Sequence, residues 1–126
     1  MKDNSIRIAN CSGFYGDKLS IARDMIEGGP IDVLTGDYLA ELTMTILYNQ
    51  KLKRGEEHGY VGTFLKQFKD VAKLAQEKDI KIVTNAGGLN PSSMAAAVEE
   101  IVQELNLDLK VAYIEGDDLM PRIDEL

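Results

Sequence analysis

The sequence has few residues of the kinds that cross-link a chain or bind soft metals. Its 126 residues include one cysteine and one histidine. A single cysteine excludes an intrachain disulfide, which fits a reducing compartment such as the cytoplasm. The lone His58 lies in a charged stretch, so the sequence offers neither a His and Cys cluster for zinc nor a nearby base for Cys11. We therefore expect His58 at the surface and Cys11 packed and inert.

Long apolar runs and clustered positive charge are also lacking. No run approaches the roughly 20 residues of a membrane helix, and residues 1–3 lead into a strand pattern rather than a signal peptide. The 21 acidic and 14 basic residues give a formal net charge of −7. On average this charge repels nucleic acid and anionic membranes. We expect a cytoplasmic protein that binds neither, with the basic run 51–54 at a solvated helix end.

The chain does contain strand-like segments that alternate with helix-like ones. The strands are predicted over 5–9, 31–34, 80–84 and 109–114, and the helices over 17–27, 38–53, 61–77 and 90–105. This order, β-α-β-α-α-β-α-β, predicts an α/β fold: a three-layer Rossmann-like domain with a mostly parallel sheet of about four strands.

Two features suggest that the chain does not act alone. The helix over 38–53 is apolar on nearly every side, which favours contact with another domain or subunit. The last residues, 119–126, resemble the opening of a further helix without its end. We expect one domain over 1–126, which is the N-terminal portion of a longer or split protein and works as an oligomer or with a partner subunit.

Polar residues are concentrated in the loops that follow the predicted strands, at 10–17, 35–38, 84–91 and 115–119. Parallel strands bring such loops to one edge of the sheet, where ligands bind. The loops at the opposite edge are plainer. The ligand-binding candidates from the polar loops are Asn10, Ser12, Gly13, Tyr15, Gly36, Asn85, Gly87, Gly88 and Asn90.

The loop 84–91 is the most distinctive of the four. Gly87 and Gly88 permit close approach to backbone N–H groups, and the helix that follows offers unpaired N–H groups that suit a phosphate or carboxylate. The alternative is a tight turn in which Asn90 only caps the helix. The loop matches neither the P-loop nor the usual dinucleotide fingerprint.

Carboxylates follow glycines at the ends of two predicted strands. These are Asp37, after Gly36, and the pair Asp117 and Asp118, after Gly116. Converging carboxylates bind a hard cation such as Mg²⁺ or act as acid and base, so these three are the catalytic candidates. The alternative is that they cap helices. No metal ligand is assigned among them, and the cofactor stays unknown.

The loop sequences, read in order, resemble the acyclic terpene utilisation AtuA family. The matching stretches are 10–17, 27–43, 82–91 and 115–118. The resemblance implies a cytoplasmic, bacterial-type catabolic protein of citronellol and geraniol utilisation, in which intermediates are CoA thioesters. The family carries no assigned reaction, so it supplies no catalytic residues.

Three functions follow from these patterns. The first is an enzyme domain of lyase or hydrolase type, which binds an anionic metabolite such as an acyl-CoA or hydroxy acid at the strand ends. The second is a non-catalytic nucleotide or acyl-CoA binding module. The third is an interaction scaffold that docks a partner through the apolar helix 38–53.

Overall fold

The computed structural model describes residues 4–126; the opening residues 1–3, where no signal peptide is expected, lie outside this range. Three short strands alternate with four α-helices, and a 3₁₀ helix ends the chain. The strands are β1 (Ile8–Asn10), β2 (Val33–Gly36) and β3 (Lys81–Thr84); the helices are α1 (Ile21–Glu27), α2 (Glu41–Arg54), α3 (Gly62–Glu77), α4 (Pro91–Glu104) and the 3₁₀ helix Met120–Glu125.

The three strands form one parallel sheet in the order β1-β2-β3. Ile8 pairs with Val33, and Val33 pairs with Lys81 on its other side. All three strands therefore point the same way, and the loops that leave their C-terminal ends share one edge. The α/β class and the parallel sheet are as the alternating sequence pattern predicts.

Helices α1 and α3 cover one face of the sheet. Leu34 at the centre of the sheet is 2% exposed, and it packs with Ile26 of α1 and with Val71 and Ala75 of α3. The amphipathic stripe predicted for α3 is thus the stripe that the sheet buries. Helix α4 packs against α3 in a second apolar cluster, in which Val98 and Val102 lie beside Phe68.

The opposite face of the sheet is open within residues 4–126, so the expected third layer is missing there. Ile8 and Val83, which point to this face in the paired register, are 65% and 59% exposed. The reason is the position of α4: it packs on α3 instead of crossing to the other face. The described domain has two layers, a sheet and one layer of helices.

The predicted fourth strand, 109–114, forms no ladder in the described part of the chain. The segment and β3 line the same cleft, of about 740 Å³, from its two sides. Since a strand needs hydrogen bonds from a neighbour, the sequence pattern alone does not make this segment a strand. We refer to 109–117 as the strap.

Helix α2 buries only one side, although the sequence suggested that it is apolar all round. Leu47 is fully buried, whereas Leu42 and Leu52 are 72% and 65% exposed. Its last turn holds the basic residues of the run 51–54, as expected. Among the described residues, no helix combines the length and apolar character that a membrane crossing needs.

Candidate functional site

The loops after the three strands meet at the C-terminal edge of the sheet and are joined by hydrogen bonds. The backbone N–H of Asp37 donates to the carbonyl oxygen of Ser12 at 3.1 Å. The side-chain amide of Asn85 donates to Oδ1 of Asp37 at 2.7 Å, and its own Oδ1 accepts the backbone N–H of Tyr38 at 2.9 Å. The structure therefore brings Ser12, Asp37 and Asn85 together.

Asp37 supplies the carboxylate of this hydrogen-bonded group. Its Oδ1 accepts from Asn85 and from the backbone N–H of Leu39 (3.3 Å). Within residues 4–126 its second carboxylate oxygen has no hydrogen-bond partner, and the residue is exposed. Gly36 beside it is a packing requirement, since an added Cβ would lie 2.7 Å from the ring of Tyr38. Asp37 is thus held in place with one oxygen directed to solvent.

The first loop is organised mainly by its own side chains. Ser12 is 2% exposed, and its hydroxyl donates to a carbonyl oxygen within the loop at 3.0 Å. The amide of Asn10 donates to the carbonyl of Ser12 at 2.8 Å, and its oxygen accepts from Thr35 at 3.2 Å. The N–H of Gly13 donates to Asp17 at 3.1 Å. These contacts fix the loop and leave little side-chain capacity for a ligand.

The same contacts move the start of the first helix. The sequence suggested that Asp17 is its N-cap, but α1 begins at Ile21. The carboxylate of Asp17 instead accepts the N–H groups of Gly13 and Lys18 inside the loop. Tyr15 is half-buried and packs against the cluster of α3 and α4.

Cys11 is packed, as expected. It is 4% exposed, and burial raises the pKa of its thiol. Beside it the hydroxyl of Tyr38 donates to the side chain of Gln67 in a buried hydrogen bond, and burial raises the pKa of that phenol also. Both groups stay protonated at neutral pH, so this pair supports the fold and supplies no nucleophile.

The glycines of the loop 84–91 are buried and tightly packed. An added Cβ on Gly87 would lie 2.9 Å from the backbone of Pro91. Gly88 has φ +55°, and its Cβ would lie 2.4 Å from Leu47 and 2.9 Å from the carbonyl oxygen of Gly59. Close approach of protein neighbours therefore accounts for both glycines. That their backbone N–H groups bind an anion stays a prediction.

Asn90 caps helix α4 and ties it to the loop before α3. Its side-chain oxygen accepts the N–H of Ser93 at 3.2 Å. Its amide donates to the carbonyl oxygens of Glu56 (2.6 Å) and His58 (3.0 Å). The Asn90 side chain therefore acts as a helix cap, as in the alternative given by the sequence. A ligand at this position would have to bind to backbone groups or to neighbouring residues.

The fourth loop lies beside the loop 84–91, and its two aspartates differ in role. Asp118 forms an ion pair with Lys51 of α2 at 3.1 Å, with both side chains 19% exposed. Asp118 raises the pKa of Lys51. Asp117 lines the wall of two neighbouring clefts and is exposed. Asp117 is therefore the better candidate to meet a ligand, and Asp118 anchors the loop.

The smaller of the two clefts, about 510 Å³, lies at the N-terminus of α4, and the charged residues in its lining are mostly acidic. Glu56, Glu115, Asp117 and Asp118 face it, while Lys51 is the one basic residue in its wall and is already paired. A bare phosphate or carboxylate would be repelled there.

The larger cleft, about 740 Å³, separates β3 from the strap. Its polar mouth contains Asn85 and Asp117, next to the group around Asp37. Its interior is mostly apolar, with walls from β3, α3, α4 and the strap: Phe64, Phe68, Ile82, Val83, Met94, Ala95, Val98, Val111 and Ile114. A mostly apolar cavity with few polar groups at one end is typical of a small-molecule site.

The three catalytic candidates do not form a metal site among the described residues. No group of three or more His, Cys, Asp or Glu residues within 4–126 has the geometry to hold a metal ion. Sequence reasoning also missed Lys51 as the partner of Asp118, since the two residues lie far apart in the chain. It missed Thr84, whose hydroxyl donates to Gly36 at 3.0 Å, although a polar residue at a strand end was a usable signal.

Comparison with known proteins gives one finding. The family model described as acyclic terpene utilisation family protein AtuA matches residues 6–126. No curated protein and no solved structure matches the chain.

Proposed function

Because the chain belongs to the acyclic terpene utilisation AtuA family, we propose that this domain binds an acyclic terpenoid metabolite at the C-terminal edge of its sheet. The observation that carries the proposal is the apolar cleft of about 740 Å³ with its polar mouth beside Asp37 and Asn85. A hydrocarbon chain would occupy the cleft, and an oxygen-bearing end would lie at the mouth.

The cleft suits the hydrocarbon part of such a molecule in size and in chemistry. Small-molecule sites typically enclose about 300–1,000 Å³, and this cleft falls in that range. Apolar side chains on both walls would be removed from water by a branched chain, and each buried CH₂ contributes about 0.8 kcal/mol. Citronellol- and geraniol-like chains meet this description.

The charge at the mouth favours a hydroxyl group over an anion. Glu115 and Asp117 line the mouth, and Asp37 lies behind Asn85. The basic residues in the wall of the cleft, Lys81 and Lys110, lie at its opposite end, where β3 and the strap begin. A hydroxyl donates a hydrogen bond to a carboxylate, whereas a carboxylate or phosphate would be repelled. An acyl-CoA or hydroxy acid, which we also consider as ligands, would need a cation such as Mg²⁺ between its anionic group and these acids.

A matched pair of ligands tests this preference. We expect citronellol to bind about tenfold more tightly than the carboxylate of the same carbon skeleton at neutral pH, measured by calorimetry without added metal. Replacing Asp117 by Asn should narrow the difference, because it removes one repelling charge. Asp24→Asn on α1 is the control, since it makes the same change at an exposed residue that does not line the cleft. Equal affinity for the two ligands in every variant would contradict the proposal that the oxygen-bearing end of the ligand lies at the acidic mouth of the cleft.

A second comparison tests whether the cleft takes the hydrocarbon part. Val83→Asp places a charge in the wall of the cleft, and we expect it to weaken citronellol binding about tenfold or more. Leu52→Asp is the matched control, because Leu52 is similarly exposed (65% against 59%) and does not line the cleft. The cleft assignment fails if both variants bind as the natural chain does.

Catalysis at this edge, of lyase or hydrolase type, remains a proposal for Asp37 and Asp117, with Asp118 in an anchoring role. Asp37→Asn keeps an oxygen for Asn85 and Leu39 but removes the charge. Lost turnover with unchanged ligand affinity would support a catalytic Asp37. Lost affinity would support a binding role.

The open face of the sheet supports a second function, assembly with a partner. Parallel sheets are almost always covered on both faces, yet Ile6 and Ile8 are 69% and 65% exposed. We propose that another subunit or domain covers this face. Sedimentation of the isolated chain tests the proposal: Ile8→Asp should shift an oligomer toward monomer while Leu52→Asp does not. A natural chain that is monomeric at high concentration would argue against self-assembly.

A further inference from the structure

The outer edge of β3 presents unpaired backbone groups to the large cleft. The N–H of Lys81 donates to Asp32 on the β2 side at 3.1 Å. Backbone direction alternates along a strand, so the N–H and C=O groups of Ile82 and Thr84 point away from β2. No backbone hydrogen bond joins them to the strap in the described part of the chain. An open strand edge of this kind readily accepts another strand.

The strap has the sequence of a strand but is unpaired. Residues 109–114 read Leu-Lys-Val-Ala-Tyr-Ile, which is rich in β-branched and aromatic side chains. Tyr113 and Ile114 are 54% and 92% exposed, although they are apolar. Both the strap and the edge of β3 therefore have surfaces that would be stabilised by contact with each other.

The strap already runs alongside β3 in the parallel direction. At its start, the N–H of Asp108 donates to Gln76 near the end of α3 at 2.7 Å, close to the point where the chain enters β3. At its far end, Asp118 is held by Lys51, and Asp117 lines the cleft with Asn85, just beyond the end of β3. Both ends are thus anchored at the matching ends of β3, and only the middle is separated from it.

We propose that the strap closes on the outer edge of β3 as a fourth parallel strand, and that the open and closed positions control access to the cleft. The crossover from β3 through α4 to the strap has the β-α-β connection that parallel neighbours use. Closure pairs the backbone groups of Ile82 and Thr84 and places one of the two adjacent residues Tyr113 and Ile114 against the layer of helices, since successive side chains of a strand point to opposite faces. Opening exposes the apolar walls to a ligand.

Hydrogen exchange of the ligand-free protein tests closure without relying on any ligand. A parallel ladder engages the N–H of every second residue. We therefore expect alternate amides among 110–114, together with those of Ile82 and Thr84, to exchange about tenfold or more slowly than the unpaired amides between them. Uniformly fast exchange along the strap and at both β3 positions would overturn the proposal.

A proline variant separates pairing from general burial. Ala112 is exposed and its N–H makes no hydrogen bond within residues 4–126, so the open position tolerates Ala112→Pro. The closed strap is an edge strand, where proline is excluded only if the lost N–H faces β3. Successive N–H groups of a strand point to opposite sides, so Tyr113→Pro, at a residue that is also exposed, is the second variant. We expect whichever of the two proline variants removes an N–H facing β3 to lose the slow exchange at Ile82 and Thr84 and to keep it at Leu34 of β2. Ala112→Ser, which retains the N–H, should leave the pattern unchanged. Identical exchange in both proline variants and in Ala112→Ser would also overturn the proposal.

The role in access rests on the proposed ligand site, and its test is separate. Saturating citronellol should speed exchange at the strap amides, because ligand and closed strap occupy the same edge. If citronellol does not bind at all while the alternating protection is present, the proposed function fails and closure stands. If citronellol binds and leaves the strap protection unchanged, the control of access is wrong.

Discussion

The glycine at position 88 offers the most direct test of how the loop 84–91 is built. Its φ of +55° lies in the left-handed region, and an added Cβ would lie 2.4 Å from Leu47 and 2.9 Å from the carbonyl oxygen of Gly59. Leu47 is fully buried and cannot move outward freely. Gly88→Ala should therefore destabilise the fold through both backbone strain and steric overlap.

The expected loss can be built from these two contributions. A left-handed conformation costs a residue with a Cβ about 1–2 kcal/mol. Overpacking of a buried neighbour costs about 1–3 kcal/mol. The sum, about 2–5 kcal/mol, is a large part of the roughly 5–15 kcal/mol that stabilises a typical domain.

Urea denaturation followed by far-ultraviolet circular dichroism gives the free energy of unfolding. Gly13→Ala is the control, because Gly13 lies at the same edge of the sheet, has no positive φ and has open space around its Cβ position. We expect this control to change stability by no more than about 0.5 kcal/mol. If Gly88→Ala is as mild as Gly13→Ala, the packing explanation of the loop is refuted.

Three further predictions concern charge and burial. Lys51→Met should destabilise the fold by about 1–3 kcal/mol in thermal or urea unfolding, because it leaves the half-buried Asp118 without its partner. Adding Asp118→Asn to this variant should restore part of the lost stability. If the losses of the two single variants simply add in the double variant, the two residues are not energetically coupled. The stability from this pair should be complete below the ordinary lysine pKa of 10.5 and be lost as pH rises through the raised pKa of Lys51. Cys11 should react with a thiol reagent only on unfolding, since it is 4% exposed and burial raises its pKa; stoichiometric labelling of the native chain would contradict this. Arg7 lowers the pKa of Asp32, so the ion pair should stabilise the fold above the ordinary aspartate pKa of 3.8, and this contribution should be lost as pH falls through the lowered pKa. Asp32→Asn should therefore reduce the dependence of the free energy of unfolding on pH in the acid range. An unchanged pH dependence would exclude a stabilising role for the pair.

The strand-end loops show how far sequence reasoning could reach. Parallel strands must deliver their C-terminal loops to the same edge, so the sequence predicts Ser12, Asp37, Asn85 and Asp117 at one rim. Asp37 is hydrogen-bonded to Ser12 and to Asn85, and Asp117 lines the same cleft as Asn85. The alternation of strands and helices, which is a local property of the chain, is enough to predict this common edge.

The roles of individual side chains were less predictable. Ser12 and Asn90 were candidates for ligand contact, yet their polar groups are used by neighbouring backbone. A polar side chain in a loop satisfies whichever partner the fold brings within about 3 Å. Residue type alone does not tell whether that partner is the protein or a ligand.

Local pattern by itself determined the number and approximate positions of the α-helices, the parallel strand direction and the edge where polar loops collect. Tertiary structure alone decided that α4 packs on α3 and leaves one sheet face open, that Lys51 meets Asp118, and that the strap stands apart from β3. The physical reason is range. Helical and strand periodicity is written over a few neighbouring residues, whereas layer packing, ion pairs and strand pairing depend on segments that are distant in the chain and compete for the same surfaces.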